Sequence, residues 1–122
     1  MDHAKDREIK RVGRHRRLRK KIAGTSDQPR LCVHRSLNNF YAQIIDDSIG
    51  KVLFGMSTRE KNISKKIKYG GNVNAASTLG DAFAVEVGKK GIKKICFDRG
   101  GYRYHGRVKA FAEAVRKGGM EF

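Results

Sequence analysis

The segment from residue 99 to residue 109 combines arginine, glycine and tyrosine in a pattern that suits contact with a nucleic acid. Arginine forks match phosphate oxygens, glycines admit the close approach of a backbone, and tyrosine rings stack on unpaired bases. An ordinary turn with solvated arginines is an equally simple reading, but a helix follows, and its free amide groups favour anions. The candidate RNA contacts here are Arg99, Gly100, Gly101, Tyr102, Arg103, Tyr104, His105, Arg107 and Lys109.

The first predicted hairpin offers a second candidate RNA surface. Tyr41 and Gln43 alternate with apolar residues, so they share a sheet face with His34 of the neighbouring strand. Sheet faces that carry rings and amides can serve as platforms for RNA. Asn38 and Asn39 are also common turn residues, and a purely structural role is the stronger alternative for them. The hairpin candidates are Arg30, His34, Arg35, Ser36, Asn38, Asn39, Tyr41 and Gln43.

Residues 1–24 form a third basic segment. They hold ten Lys or Arg against three acidic residues, and too few large apolar side chains to build a core. We predict a basic N-terminal arm that is disordered in the free protein and becomes helical when phosphates relieve its repulsion. Its candidate RNA contacts are Arg11, Arg14, His15, Arg16, Arg17, Arg19, Lys20 and Lys21.

The chain as a whole is strongly basic. It has 28 Lys and Arg against 12 Asp and Glu, a net charge of +16 and a pI near 10.3. A charged surface can serve solubility alone, but small soluble domains usually hold a net charge of only ~2–8. The excess indicates a polyanionic partner, and nucleic acid is the simplest one. No apolar run reaches the ~18–20 residues of a membrane-spanning helix, so we expect no membrane partner.

The two cysteines indicate a reducing compartment. Cys32 and Cys96 each lie inside an apolar run, and neither has a second Cys or His at zinc-ligand spacing. We predict that both are small buried core residues. The beginning of the sequence has no signal-peptide pattern, and its acidic residues argue against a transit peptide, so the expected location is cytoplasmic.

A nuclease is the main catalytic alternative, because three strands followed by alternating helix and strand also begin the ribonuclease H-like fold. Such an enzyme needs several carboxylates that converge on two metal ions about 4 Å apart. Only Asp98 and Asp46 are predicted at strand ends. The histidines show no ligand spacing, and Gly100-Gly101 fits neither nucleotide-binding fingerprint. We therefore predict no enzyme, no cofactor, no metal and no small-molecule substrate.

The predicted elements that position these residues form one globular domain over residues 25–122. Asn72 and Gly91 are the predicted N-cap and stop of one helix, and a second helix follows the glycine-containing loop. Residues 59–71 are predicted to be a flexible connection. The order is β-β-β-α-β-α, an α/β (α+β) fold whose helices cover one face of a mixed four-stranded sheet. The predicted strands are 30–35, 40–46, 51–57 and 94–97.

The motifs carry a family resemblance. Residues 97–110 read FDRGGYRYHGRVKA, and PRL at 29–31, YAQ at 41–43 and GMEF at 119–122 support them. The chain resembles the L18 family of bacterial large-subunit ribosomal proteins over essentially its full length. The resemblance implies a mixed α/β domain with a basic N-terminal extension, bound to 5S rRNA in the central protuberance and helping to anchor it to 23S rRNA. It also implies neighbours among other 5S-associated ribosomal proteins and no enzymatic activity.

A stand-alone nucleic-acid chaperone or DNA-compacting protein is the alternative of another class. It would share the charge but show little preference among RNAs. For an rRNA-binding protein of the L18 family, we expect contacts mainly with phosphates. The folded shape of the RNA and a few unpaired bases then supply specificity, because most base edges are inaccessible in A-form grooves.

Overall fold

The computed structural model describes residues 3–122; Met1 and Asp2 of the predicted arm lie outside the described residues. Within this range, none of the helices is both long enough and apolar enough to cross a membrane. The elements, in chain order, are α1 (His3–Arg19), β1 (Arg30–Arg35), β2 (Phe40–Asp46), β3 (Lys51–Ser57), α2 (Lys61–Ser64), α3 (Val73–Lys89), β4 (Cys96–Asp98) and α4 (Gly106–Lys117).

The four strands form a mixed sheet in the order β3-β2-β1-β4. β1 pairs antiparallel with β2, β2 pairs antiparallel with β3, and β4 lies parallel to β1. The short turns after β1 and β2 impose the antiparallel pairs, whereas the long crossover through α3 permits the parallel pair. The predicted α/β fold and its mixed sheet are confirmed.

The core lies between one face of this sheet and helices α3 and α4. Leu31, Val33, Phe40 and Ile44 alternate along β1 and β2 and are almost completely buried, as the period of two predicts. The ring of Phe111 on α4 lies 5.2 Å from that of Phe40. Each such side chain contributes about 1.5–3 kcal/mol on burial, so this face, and not the opposite one, fixes how the helices pack.

Helix α3 begins and ends where the sequence predicts. The Oδ1 atom of Asn72 accepts a hydrogen bond of 2.8 Å from the amide of Ala75, and so satisfies one of the free donors at the helix start. Gly91 has φ +79°, the left-handed conformation that terminates helices and that glycine adopts without a Cβ clash.

Two details of the prediction are wrong. The connection predicted as flexible contains α2, because Ile63 is fully buried and anchors the segment to the core. The last strand starts at Cys96 and not at residue 94, because Lys94 forms an isolated bridge with Glu121, near the chain end.

The cysteines are also placed differently from the prediction. Cys32 and Cys96 are half-buried free thiols and do not belong to the core. Cys32 lies between the core residues Leu31 and Val33, so the alternation of the strand turns its side chain to the face away from α3 and α4.

Candidate nucleic-acid interface

Helix α1 lies on the sheet face opposite α3 and α4. A ring nitrogen of His15, Sγ of Cys32 and a carboxylate oxygen of Asp98 all lie within 4.8 Å of one another, which places α1 beside the outward face of β1. Arg11 Nη1 donates 2.7 Å to the carbonyl of Gly100, and Arg14 Nε donates 2.9 Å to that of Gly101. Two of the predicted RNA-binding segments, the arm and the loop of residues 99–105 (the glycine loop), therefore form one continuous surface.

Gly101 permits the close approach of α1 to the glycine loop. A Cβ at this position would overlap the carbonyl oxygen of Arg11 and lie 2.9 Å from the amide nitrogen of His15. Gly100 is similarly confined, since its Cβ would lie 2.5 Å from the carbonyl oxygen of Val33. Both glycines have positive φ and are buried. The predicted role in admitting an RNA backbone is thus corrected: these glycines admit the protein's own backbone.

Tyr102 is likewise internal. Its side chain is only 7% exposed, and the guanidinium groups of Arg11 and Arg35 lie 4.9 and 4.8 Å from its ring centroid. Its hydroxyl lies 3.0 Å from Nδ1 of His34. Burial, with a smaller contribution from the charge of Arg11, lowers the pKa of His34. Tyr102 therefore positions two arginines by cation–π contact. Its buried ring is not available to stack on a base, which is the role that the sequence analysis predicts for it.

Arg30 is the third predicted RNA contact with an internal role. It is 7% exposed, and it donates to Asp47 at 3.0 and 3.1 Å and to Asp98 at 2.7 Å. Although burial opposes its charge, hydrogen bonds to these two carboxylates raise the pKa of Arg30. Hydrogen bonds from Arg30 and from the amide of Gly24 lower the pKa of Asp47 to about 2. Arg30 neutralises the buried Asp98 and the half-buried Asp47, and does not present its charge to a ligand.

The cluster of His15, Cys32 and Asp98 has the ligand types of a metal site, but its chemistry does not favour one. Burial opposes the charge of Asp98, yet hydrogen bonds from His15, the Gly100 amide and Arg30 outweigh it and lower the pKa. The carboxylate is therefore already neutralised by a guanidinium, which would repel an incoming cation. Burial and Asp98 raise the pKa of Cys32 to about 11, so the thiol keeps its proton.

The hairpin tip is joined to α4 by a network of backbone acceptors. Arg107 Nη1 donates 2.8 Å to the carbonyl of Ser36 and 3.4 Å to that of Asn39. The Asn39 side chain accepts a 2.9 Å hydrogen bond from Thr58, and Ser36 caps the turn by accepting from the amide of Asn39. Ser36 and Asn39 therefore stabilise the turn through their side chains. Asn38 is exposed.

Burial sorts the predicted contacts into three groups. Four are buried, namely Arg30, Gly100, Gly101 and Tyr102. A half-buried group comprises Arg11, His15, Arg19, Ser36, Asn39, Tyr41 and Arg107. The exposed members are Arg14, Arg16, Arg17, Lys20, Lys21, His34, Arg35, Asn38, Gln43, Arg99, Arg103, Tyr104, His105 and Lys109.

A cleft of about 750 Å³ separates α1 from the hairpin tip and the start of α4. We call it the basic cleft and define it by Arg7, Lys10 and Arg14 on α1 and by Arg35, Arg103 and Arg107 on the opposite wall. Glu8 is the one carboxylate among its described lining residues, and that group already binds Arg11 at 2.6 Å.

Arg7 and Lys10 were missed as candidates by the reasoning from sequence. Their signal was present, because Arg7, Lys10 and Arg14 recur at the three- and four-residue spacing that aligns side chains on one helix face. Burial and the charge of Arg35 lower the pKa of Arg107 on the far wall, so cations from distant parts of the chain concentrate here.

Comparison with known proteins decides the family. The family described as ribosomal L18 of archaea, bacteria, mitochondria and chloroplasts matches residues 5–122. The chain belongs to the L18 family. It is 50% identical over 124 aligned positions to the large ribosomal subunit protein uL18 of Aquifex pyrophilus, with both chains covered completely. The uL18 proteins of Thermotoga neapolitana (50% over 116 residues, 95% of each chain) and Rhodopirellula baltica (45% over 122 residues, all of each chain) are also similar.

Membership in the L18 family confirms the resemblance found in the motifs. The chain is a cytoplasmic component of the large ribosomal subunit, with rRNA and ribosomal proteins as its partners. The L18 relatives are structural proteins and not enzymes, and this chain is not an enzyme either.

Proposed function

We propose that this L18 protein binds 5S rRNA and helps to attach it to 23S rRNA in the central protuberance, beside other 5S-associated ribosomal proteins. The observation that carries the proposal is the convergence of the three predicted RNA-binding segments. The arm meets the glycine loop through Arg11 and Gly100, and the loop meets the hairpin through Tyr102 and Arg35. One basic surface results, on the side of the sheet that α3 and α4 leave open.

The chemistry of this surface favours phosphate contacts. Its exposed side chains are mostly Arg and Lys on α1 and around the glycine loop, which supply forked and point-charge donors to phosphate oxygens. Tyr104, which is 38% exposed, and His105 add rings that can stack on unpaired bases. The arrangement suits a folded RNA whose phosphates lie at fixed positions, since specificity then comes from shape.

Residues 1–24 serve in this proposal as an arm and residues 25–122 as the globular rRNA-binding domain. The arm is the part that could reach a second RNA, because it is attached to the domain by polar contacts at one side of α1 and carries exposed Arg16, Arg17, Lys20 and Lys21 elsewhere. Attachment of 5S to 23S rRNA follows if the two sides of the arm bind different RNA molecules.

Competition binding tests the proposal. Labelled 5S rRNA is bound to the purified protein and displaced with unlabelled 5S rRNA, with tRNA and with duplex DNA, all at one salt concentration. We expect 5S rRNA to compete at least about a thousandfold better than the others, at the low end of the range usual for specific over non-specific binding of nucleic acids. Equal competition by all three would instead identify a general nucleic-acid chaperone.

A further inference from the structure

We infer that the basic cleft binds consecutive phosphates of the RNA backbone and that it is a composite site, which exists only while α1 is docked on Gly101. The inference rests on the proposed function, because it names the part of the 5S rRNA interface that holds the backbone. Gly101 therefore controls RNA affinity, although it is uncharged and buried.

Among the described residues, the cationic side chains that define the cleft form no salt bridge with a carboxylate. Arg35 and Arg107 lie close enough for the charge of Arg35 to lower the pKa of Arg107, and neither forms a salt bridge with any carboxylate of the described residues. Arg35 is held in place by the Tyr102 ring, and Arg107 by the carbonyl of Ser36. Two fixed like charges without a partner anion are stabilised when a phosphate lies between them.

The two walls of the cleft come from parts of the chain that meet only by docking. Lys10 is exposed on α1, and Arg103 is exposed on the glycine loop. The start of α4 adds free amide groups at the same place, since its N-cap residue His105 makes no side-chain cap hydrogen bond. A volume of about 750 Å³ falls in the ~300–1,000 Å³ range of ligand sites, so a short stretch of backbone fits between the walls.

Docking of α1 depends on the absence of a side chain at position 101. The hypothetical Cβ of an alanine there overlaps the Arg11 carbonyl oxygen, so the helix must move away. When α1 moves, Arg7, Lys10 and Arg14 leave the cleft while every charge stays in the protein. Substitution of Gly101 therefore separates the geometry of the cleft from the net charge of the chain.

The test compares Gly101→Ala with Gly91→Ala. The two glycines have nearly the same φ, +82° and +79°, but a Cβ at Gly91 meets nothing within 4 Å. We expect Gly101→Ala to weaken binding to 5S rRNA by at least about tenfold and to make the slope of log K against log salt shallower by about two, at ~0.9 per lost phosphate contact. Gly91→Ala should leave both quantities unchanged. Binding of Gly101→Ala that equals the wild type would overturn the inference.

Release of α1 has its own readout in the thiol of Cys32. Because α1 lies beside this thiol and burial raises the pKa of Cys32 to about 11, a thiol reagent should modify it slowly in the wild type. In Gly101→Ala, we expect Cys32 to be modified faster than in the wild type. Mass spectrometry of the peptide that contains Cys32 measures the rate. An unchanged rate together with wild-type RNA binding would mean that Gly101 does not control docking.

Charge variants keep the inference testable if Gly101→Ala does not fold. Lys10→Gln with Arg103→Gln removes one cation from each wall, and Lys93→Gln with Lys117→Gln removes two exposed cations outside the cleft. The first pair should reduce 5S rRNA affinity and the salt slope more than the second, because only the first pair removes cations that line the cleft. Equal effects of the two pairs would overturn the inference.

Failure of the inference is distinguishable from failure of the proposed function. In one outcome, the wild type prefers 5S rRNA to tRNA while the cleft variants bind 5S rRNA as tightly as the wild type does. That result supports the proposed function and contradicts the role of the cleft. A wild type without that preference removes the proposed function. If the cleft variants nevertheless bind RNA of any kind more weakly than the wild type does, the cleft is supported as a phosphate-binding site.

Discussion

Nε2 of His15 lies 2.8 Å from Oδ2 of Asp98, and this contact joins α1 to the end of β4 across 83 positions of the chain. Asp98 is fully buried, and it also accepts hydrogen bonds from Arg30 at 2.7 Å and from the amide of Gly100 at 2.9 Å. One carboxylate therefore fixes the arm, the first strand and the glycine loop relative to one another.

Replacement of this carboxylate should destabilise the fold. Asp98→Asn leaves Arg30 buried with Asp47 as its remaining anion, and the loss of one member of a buried ion pair costs about 3–5 kcal/mol. Urea unfolding measures the effect as a lower midpoint. Asp81→Asn is the matched control, because Asp81 is exposed on α3 and forms no ion pair within the described residues. Equal midpoints for the two variants would contradict the structural role of Asp98.

Acid should weaken the fold through the same network. The pKa of Asp47 is about 2 in the folded protein, below its ordinary value of 3.8, and the pKa of Asp98 is lowered as well. A carboxylate whose pKa is lowered on folding stabilises the protein above its unfolded pKa, and this contribution disappears as the pH falls toward the folded pKa. We expect the free energy of unfolding to decrease between about pH 4 and pH 2.

Asp47→Asn provides the control for the acid effect. This variant should be less stable than the wild type at pH 6, and its free energy of unfolding should decrease less between about pH 4 and pH 2. Urea titrations at several pH values measure both curves. Parallel decreases in the two proteins would show that Asp47 is not a source of the acid sensitivity.

Much of the fold could be predicted from local sequence patterns. Short apolar runs between turn residues predict the bounds of β1, β2 and β3, and alternation of apolar and polar residues predicts which face of β1 and β2 enters the core. The Asn72 cap and the helical spacing of Leu79, Phe83 and Val87 gave α3. These signals are local, because they depend only on positions within one element and on the surface that this element must bury.

The internal roles of Arg30, Gly101 and Tyr102 could not be predicted in this way. Their partners lie far away in the chain: Arg30 and Asp98 are 68 positions apart, and Tyr102 and His34 are also 68 apart. Arginine, glycine and tyrosine have the same local signature whether they bind RNA or hold the protein together. Only the docking of α1 decides between these roles, and nothing in the local sequence of the loop reports it.

The contact between α3 and α4 requires Gly80. A Cβ at this position would lie 2.7 Å from the Ala114 Cβ and 2.8 Å from the Phe111 carbonyl oxygen. We expect Gly80→Ala to destabilise the protein by about 1–3 kcal/mol through overpacking. Gly88→Ala, in the same helix with open space around it, should stabilise by about 0.5–1 kcal/mol. Thermal unfolding compares them, and a stabilised Gly80→Ala variant would contradict the close packing.

Binding to RNA should depend steeply on salt. If about six to ten phosphates are neutralised, the affinity for 5S rRNA should fall by roughly three to five orders of magnitude between 50 and 200 mM salt. Filter binding over this range gives the slope. A nearly flat dependence would show that the exposed arginines and lysines of the surface are not the principal contacts.

Ultraviolet crosslinking of the complex with 5S rRNA, followed by mass spectrometry of the crosslinked peptides, tests the central claim most directly. The account predicts that RNA adducts concentrate in α1, in residues 34–43 and in residues 99–109. Adducts confined to the outer surfaces of α3 and α4, with none in these three segments, would contradict it.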